Sequence, residues 1–503
     1  MYYFQIDDNH DESMLTSDDP ELSCESPSDS DNVSMSSHSS EMSLSSVQSN
    51  DSIDSNDINT IVYGSYLPPD SNWRLEGKII GDNTHVEHLK INKYVDTKGE
   101  FTTQNAIDFL TGVAKNKSLR SLDFSGSIVE HIFTLLSPLL NNNKIESLLV
   151  KGKFDFFYFK SEENDGPARR EAFHTSILRS LSQFSSLERL ALNFLEISDG
   201  VLVRLIPVLR RHQRLRYLAL NSLNIGEGCK GMSALADWLK SPDCKIKFLR
   251  LDYTYLGDEQ LAILAGGLKE NSTVKTLSLS TINEGEEEIT DITQGLQYLW
   301  TVWENPSSAL EKVCLYDNKI QDDALIGLAK ALDGKRKLKV LDLSSSCELI
   351  TIKGFAALAT HLRSPDCILH TLKVTQVDDA AAIVIAASLR KNTTLKKLGF
   401  GYIYNVTSDG LDALRRALCD RSSVSNIYNS NHTLCDLDAR YFDPPFELPS
   451  DLTFYLDLNK NNNKTEVARK KIANVSVSAP SIDDIAWWVV DCLAASTDPD
   501  DIA

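Results

Sequence analysis

Apolar side chains recur along this chain in one phrase: Leu-x-x-Leu-x-Leu-x-x-(small or Leu)-x-Ile. It reads LERLALNFLEI from Leu187, LRYLALNSLNI from Leu215, IKFLRLDYTYL from Ile246 and LEKVCLYDNKI from Leu310. Weaker copies start at Val86, Leu119, Ile145, Val274, Leu338, Leu369, Leu395 and Val424. Most later starts lie roughly 26 to 31 residues apart, a repeat spacing at which each unit is too small to bury its own apolar face and must stack on its neighbours. The alternation within each phrase predicts a short strand. The stretches that follow, 199–212, 258–271, 322–334 and 408–420, carry apolar residues at three- and four-residue steps, the pattern of an amphipathic helix. An Asp or Ser opens each helix, placed to cap its free backbone N–H groups. One strand and one full helix per unit predicts an α/β solenoid.

Two units break the period. Between Ile145 and Leu187 lies an aromatic run, Phe154, Phe156, Phe157, Tyr158 and Phe159, followed by a polar loop. Between Val274 and Leu310 lies the acidic loop NEGEEEITD. The aromatic run reads as an extra strand pair packed on the body or as a binding hairpin. Upstream, SNWRLEGKIIGDNTHVEHLKI from Ser71 reads as the back half of a helix followed by a first repeat strand.

LKSPDCKIKFLRL (239–251) set against LRSPDCILHTLKV (362–374) shows one helix-to-strand turn used twice. Proline stops the helix, and Cys244 and Cys367 read as small packing groups. With these turns and the long repeat, residues 75–435 resemble the ribonuclease-inhibitor type of leucine-rich repeat. The resemblance implies a horseshoe, with a parallel sheet on the concave face and helices on the convex face. The flank after the last repeat also resembles that of uncharacterised algal leucine-rich repeat proteins. It reads as a loop and a helix covering the open end of the array, which a solenoid needs. In SIDDIAWWVVDCLAAS (481–496), Trp487 and Trp488 either pack a terminal helix on the body or form a docking peptide. The expected division is a disordered acidic Ser-rich tail over 1–65, a repeat domain over 70–435 and a capping flank over 436–503.

Charge is spread unevenly. The 503-residue chain has a net charge of -20. Residues 1–60 hold fourteen acidic residues, seventeen serines and no Lys or Arg, too little apolar surface to offset the entropy of ordering. Thr16, Ser26 and Ser28 each precede an acidic residue by three positions. That suits an acid-directed kinase, or a plain solubilising tail. An acidic chain repels phosphate backbones, so no nucleic-acid partner is expected. No stretch approaches the ~20 apolar residues of a membrane span, so no membrane partner is expected either. The start lacks a secretory signal pattern. Nine cysteines without a C-x-x-C pair fit reduced thiols in a cytoplasmic, or nuclear, protein. The Asn-x-Thr sequences at Asn271 and Asn392 then read as chance sequons.

Candidate chemistry is sparse. Gly226-x-Gly228-x-x-Gly231 mimics a dinucleotide-binding turn. Its glycines, however, fall where Ser198, Gly257 and Gln321 fall in other units, at a position where every unit turns. His85 and His88 have no acidic or cysteine cluster to complete a metal set. No catalytic residue, metal or cofactor is expected.

What the alternation does assign is a surface. The leucines point to the core, and the third, fifth and seventh positions of each phrase point the other way, with the eighth at the strand's end. The candidate partner-binding residues are Arg189, Asn193, Tyr217, Asn221, Phe248, Arg250, Asp252, Tyr253, Tyr316 and Asp317, with Lys312 beside them. Tyr and Arg are enriched among residues that dominate binding energy. The expected function is a monomeric, non-enzymatic scaffold that binds a protein on the concave face. The resemblance implies two alternatives: a GTPase-activating protein of the Ran-activator kind, and an inhibitor of a basic enzyme. It also extends to innate-immune sensors, whose phosphate loop this chain lacks.

Overall fold

Among the described residues, thirteen strands form a single parallel sheet whose spatial order is the chain order. The computed structural model describes residues 60–63, 72–93, 103–126, 144–152 and 167–474, with interruptions at 227, 283–291, 335–336, 348, 402–405, 439–447 and 461–462. All of these fall in one compact unit, Ser46–Ala503; the other unit, Met1–Ser45, contains no described residue. Thr16, Ser26, Ser28, the aromatic run 154–159, the acidic loop 283–291 and the segment 481–496 lie outside the described residues.

The strands are β1 (Thr60–Tyr63), β2 (His88–Lys93), β3 (Ser121–Gly126), β4 (Ser147–Lys151), β5 (Arg189–Asn193), β6 (Tyr217–Ala219), β7 (Phe248–Arg250), β8 (Thr276–Ser278), β9 (Lys312–Cys314), β10 (Val340–Leu343), β11 (Thr371–Val374), β12 (Lys397–Gly399) and β13 (Asp436–Asp438). Helices such as Asp199–Leu209, Asp258–Lys269, Asp322–Ala331 and Ser408–Leu418 connect them. The leucines of the phrase, among them Leu190, Leu218, Leu249 and Leu277, are fully buried between sheet and helices. Strands sit ~4.8 Å apart and packed helices 8–10 Å apart. The helical layer is therefore the longer one. The unit Ser46–Ala503 folds as an α/β leucine-rich repeat solenoid.

Two expectations about element placement fail. Thr60–Tyr63 pairs with β2, so the sheet starts inside the segment expected to be tail. Its four residues, TIVY, are rich in β-formers but carry no leucine phrase. Val424 does not start a strand. Residues Val424–Tyr428 form a short helix capped by the Ser423 hydroxyl, which accepts from the Asn426 N–H at 3.1 Å. The last strand begins twelve residues later, at Asp436. Val424-x-x-Ile427 fits the first step of either element, since an i, i+3 pair occurs in both. The flank beyond β13 supplies two helices, Ser450–Asn459 and Lys464–Asn474, rather than one.

An opening Asp or Ser is expected to cap its own helix, as Asp378 does for Asp379–Leu389; Asp199, Asp258, Asp322 and Asp379 instead cap the next one. Asp322 Oδ1 accepts from the Thr351 and Gly354 N–H groups at 2.8 and 3.1 Å, and its Oδ2 from the Thr351 hydroxyl at 2.6 Å. Asp379 repeats this on Thr407 and Gly410. Asp199 and Asp258 reach Gly231 and Gly295. A Cβ on Gly354 or Gly410 would lie 2.7 Å from the capping carboxylate, so glycine is what lets the neighbouring helix come close. Asp322→Ala is expected to cost about 1–2 kcal/mol in urea unfolding, a normal cap loss. Asp322→Asn, which keeps the Oδ1 acceptor, should lose less.

A second ladder runs along the opposite end of the helices. Asn271, Asn392 and Asn431 donate to the carbonyls of Leu239, Leu362 and Leu389 in the preceding units at 2.7, 2.8 and 2.8 Å. Their Oδ1 atoms accept from the N–H groups two and three residues on. The Asn-x-Thr sequences are therefore turn-forming side chains buried in the array, not chance sequons. Cys244 and Cys367 pack beside Thr273 and Asn392 in these turns, and burial pushes both thiols up.

Candidate protein-binding face

The strand residues that alternate with the buried leucines form rows across the open face of the sheet. Pairing places Arg189, Tyr217, Phe248, Thr276 and Lys312 in one row, one residue per strand from β5 to β9. The next row holds Ala191, Ala219, Arg250, Ser278 and Cys314. Each row follows directly from the register, because strands of equal phase stack residue on residue.

In the first row three planar groups stack. The Tyr217 and Phe248 rings lie 4.5 Å apart at an interplanar angle of 14°. The Arg189 guanidinium sits 4.8 Å from the Tyr217 ring centroid, a cation–π geometry. Ala191 and Ala219 in the second row are buried although they point to the open side.

Two candidates from the sequence do not belong to an exposed surface. Asp252 is completely buried. Its Oδ1 accepts from the Ser278 hydroxyl and the Ser280 N–H, both at 2.8 Å, and its Oδ2 pairs with Arg250. Asn221 is 5% exposed, and its Oδ1 accepts from the Asp252 N–H at 3.1 Å. Both hold adjacent units together, because the loop leaving each strand folds over the end of the row. Tyr253 lies half-buried at φ 55, its ring 5.5 Å from that of Phe194. Burial and the Asp252 charge raise its hydroxyl above the usual tyrosine range.

The position of Tyr253 is special in every unit. Phe194, Ser222, Tyr253, Thr281, Asp317, Ser345 and Gln376 all have positive φ, one left-handed residue after each of seven consecutive strands. Asp317 is one of them, and its Oδ2 accepts from the Thr281 hydroxyl at 3.2 Å. Tyr316 beside it is 39% exposed. Asn193 is half-buried, and its Oδ1 finds no donor among the described residues. Tyr316 and Asp317 follow β9, with β8 between them and Phe248, so they stand apart from the stack. Phe194, the ring neighbour of Tyr253, and Lys151, which sits 5.8 Å over the Phe194 ring, are not among the residues the sequence singles out. The recurring left-handed position was the signal that could have found Phe194.

The glycines of the Gly226-x-Gly228-x-x-Gly231 motif serve the repeat. Gly226 turns at φ 53, and Gly231 donates to Asp199 at 2.7 Å. Among the described residues no group of three or more His, Cys, Asp or Glu is placed to hold a metal ion, and no helix is long and apolar enough to cross a membrane.

Rows of register-matched side chains on a stack of strand–helix units define a leucine-rich repeat protein. Comparison with known proteins narrows the class. No protein-family model matches the chain. The ribonuclease inhibitor of Sus scrofa is 26% identical over 242 residues, 48% of this chain and 51% of that protein. The ribonuclease inhibitor of Mus musculus is 27% identical over 236 residues, 46% of this chain and 48% of that protein. Human NACHT, LRR and PYD domains-containing protein 12 is 25% identical over 238 residues, 43% of this chain and 21% of that protein. The chain spans about half the length of the inhibitors and about a fifth of the human protein. The crystal structure of the Rad7 and Elc1 complex in yeast aligns at a TM-score of 0.41 and 18% identity, over 67% of this chain and 75% of that one, too loosely to decide anything. This chain is a leucine-rich repeat protein by fold, and over about half its length it is similar to the ribonuclease-inhibitor type.

Proposed function

We propose that the chain is a non-catalytic scaffold, working as a monomer inside the cell, that seats a protein partner on the open sheet face over β5 to β9. The Arg189–Tyr217–Phe248 stack carries this reading. Stacked aromatics and arginine are a common core of protein interfaces, and they stand on a preformed sheet, so little ordering cost falls on binding. The relatives support a protein-binding repeat array in general. A stable interface buries roughly 1,200–2,000 Å² in total, and several adjacent units can supply one half of it. Arg189, Tyr217, Phe248, Arg250 and Tyr316 are the proposed contacts. Tyr253 and Asp317 shape the rim.

Tyr217→Ala combined with Phe248→Ala tests the reading. The affinity of a partner isolated with the wild-type chain is expected to fall at least tenfold, with the thermal melt nearly unchanged. Undiminished affinity in the folded double variant would remove the proposal. The pig and mouse relatives are named ribonuclease inhibitors; for this chain, the cations on this face oppose inhibition of a basic enzyme. No observation favours activation of a small GTPase.

A further inference from the structure

The stack has an electrostatic consequence that follows from its orientation. The ring centroids of Tyr217 and Phe248 are 4.5 Å apart and nearly parallel, close to the ~4.8 Å between strands. The rings therefore face each other along the strand-to-strand direction, and their edges point out of the sheet. Ring edges carry the positive part of the aromatic quadrupole, and a guanidinium offers only donors. The faces, the electron-rich part, are used up inside the stack. Arg189 flanks the stack on β5, and Lys312 stands four strands away on β9.

Among the described residues, the carboxylates near this row are buried, ion-paired or hydrogen-bonded. Asp252 is buried with both oxygens occupied. Glu188 pairs with Arg214, and Glu311 pairs with Lys339. Asp317 accepts from Thr281. Lys247 and Lys275, which enter β7 and β8, are exposed. A chain with a net charge of -20 thus presents an electropositive strip on the face where its aromatic side chains cluster.

We infer that the strip takes an extended acidic peptide segment of the partner, lying across β5 to β9 with carboxylates at the Arg189 and Lys312 ends. Four strand spacings come to ~19 Å, the length of about six extended residues. A short peptide senses only charges within about 8 Å at physiological salt, so it meets the strip and not the acidic whole. A long polyanion such as nucleic acid would meet the repulsive remainder as well. This inference rests on the seating face proposed above.

Fluorescence anisotropy with labelled octaglutamate, octalysine and a twelve-nucleotide oligothymidylate on the full chain tests it. Octaglutamate is expected to bind, octalysine not to bind, and oligothymidylate to bind at least tenfold more weakly than octaglutamate. Arg189→Glu with Lys312→Glu should weaken octaglutamate at least tenfold, while Lys330→Glu on the outer helical layer leaves it unchanged. Arg189→Gln with Lys312→Gln serves if the charge reversal fails to fold, and should weaken it several-fold. No octaglutamate binding, equal binding by the folded double variants, or equal binding of oligothymidylate would overturn the inference. A partner that is lost on Tyr217→Ala with Phe248→Ala, from a chain that ignores octaglutamate, leaves the seating face standing and the acidic class refuted.

Discussion

Asp252→Ala is expected to cost about 3–5 kcal/mol in equilibrium unfolding, the range for breaking a buried ion pair by removing one partner. The carboxylate accepts from the Ser278 hydroxyl and the Ser280 N–H, and it pairs with Arg250. Alanine leaves the buried Ser280 N–H without its acceptor, weakens the bonding of the Ser278 hydroxyl and removes the carboxylate that pairs with Arg250. Each unpaired buried group adds a desolvation penalty of its own. Asp252→Asn keeps one acceptor oxygen and should cost less. Because a solenoid opens between units, hydrogen exchange in the Asp252→Ala variant should quicken first in β7 and β8. A change under about 1 kcal/mol would mean that Asp252 is a surface residue after all.

The second large effect belongs to the capping flank. Lys471 is completely buried, and its ammonium donates to the carbonyls of Leu418 and Asn431 at 2.7 and 2.9 Å. No carboxylate among the described residues pairs with it. Around it stand His432 at 3.3 Å, the Tyr455 ring at 5.8 Å with Arg421 hydrogen-bonded to its hydroxyl, and the Cys419 thiol. Burial pulls the lysine down from 10.5 to about 7. The unfolded chain therefore keeps this proton over a range in which the folded chain releases it. Falling pH favours the unfolded form across that range, and stability of the flank rises from pH 7 towards pH 9.

The expected gain over those two pH units is about 2 kcal/mol. It should appear as roughly fifty-fold stronger protection of Ser450–Asn459 and Lys464–Asn474, after correction for intrinsic exchange. Lys471→Met should abolish the slope. Above about pH 9 Cys419, whose thiol burial pushes up, opposes the trend. On the acid side His432, lowered to about 3 by burial and by Lys471 and Lys464, adds a second loss of stability as pH falls from 6.5 towards 3. A flat wild-type profile between pH 7 and 9 would refute the assignment.

Both effects arise at polar residues whose importance the local pattern hides. Asp252 sits at an outward position of its strand, and alternation alone classes it with Arg250. Lys471 lies in KTEVARKKIAN, where three of the four cations behave as surface groups and nothing in the spacing singles out the fourth. The stacked row was more legible. Arg189, Tyr217 and Phe248 occupy the same phase of three consecutive phrases, and a parallel in-register sheet must bring that phase together. Asn271, Asn392 and Asn431 recur at fixed distances before their strands, so their ladder was visible as a repeat but not as hydrogen bonding.

Local periodicity by itself determined the strand–helix unit, the identity of the buried leucines and the side of the strand that faces away from the core. Those depend on residues a few positions apart, within reach of a strand's two-residue and a helix's 3.6-residue step. Only the tertiary structure decided which outward polar groups meet solvent, which carboxylate caps which helix, and where the last strand begins. Each of those is settled by a side chain one repeat away, and no window along the chain contains both partners.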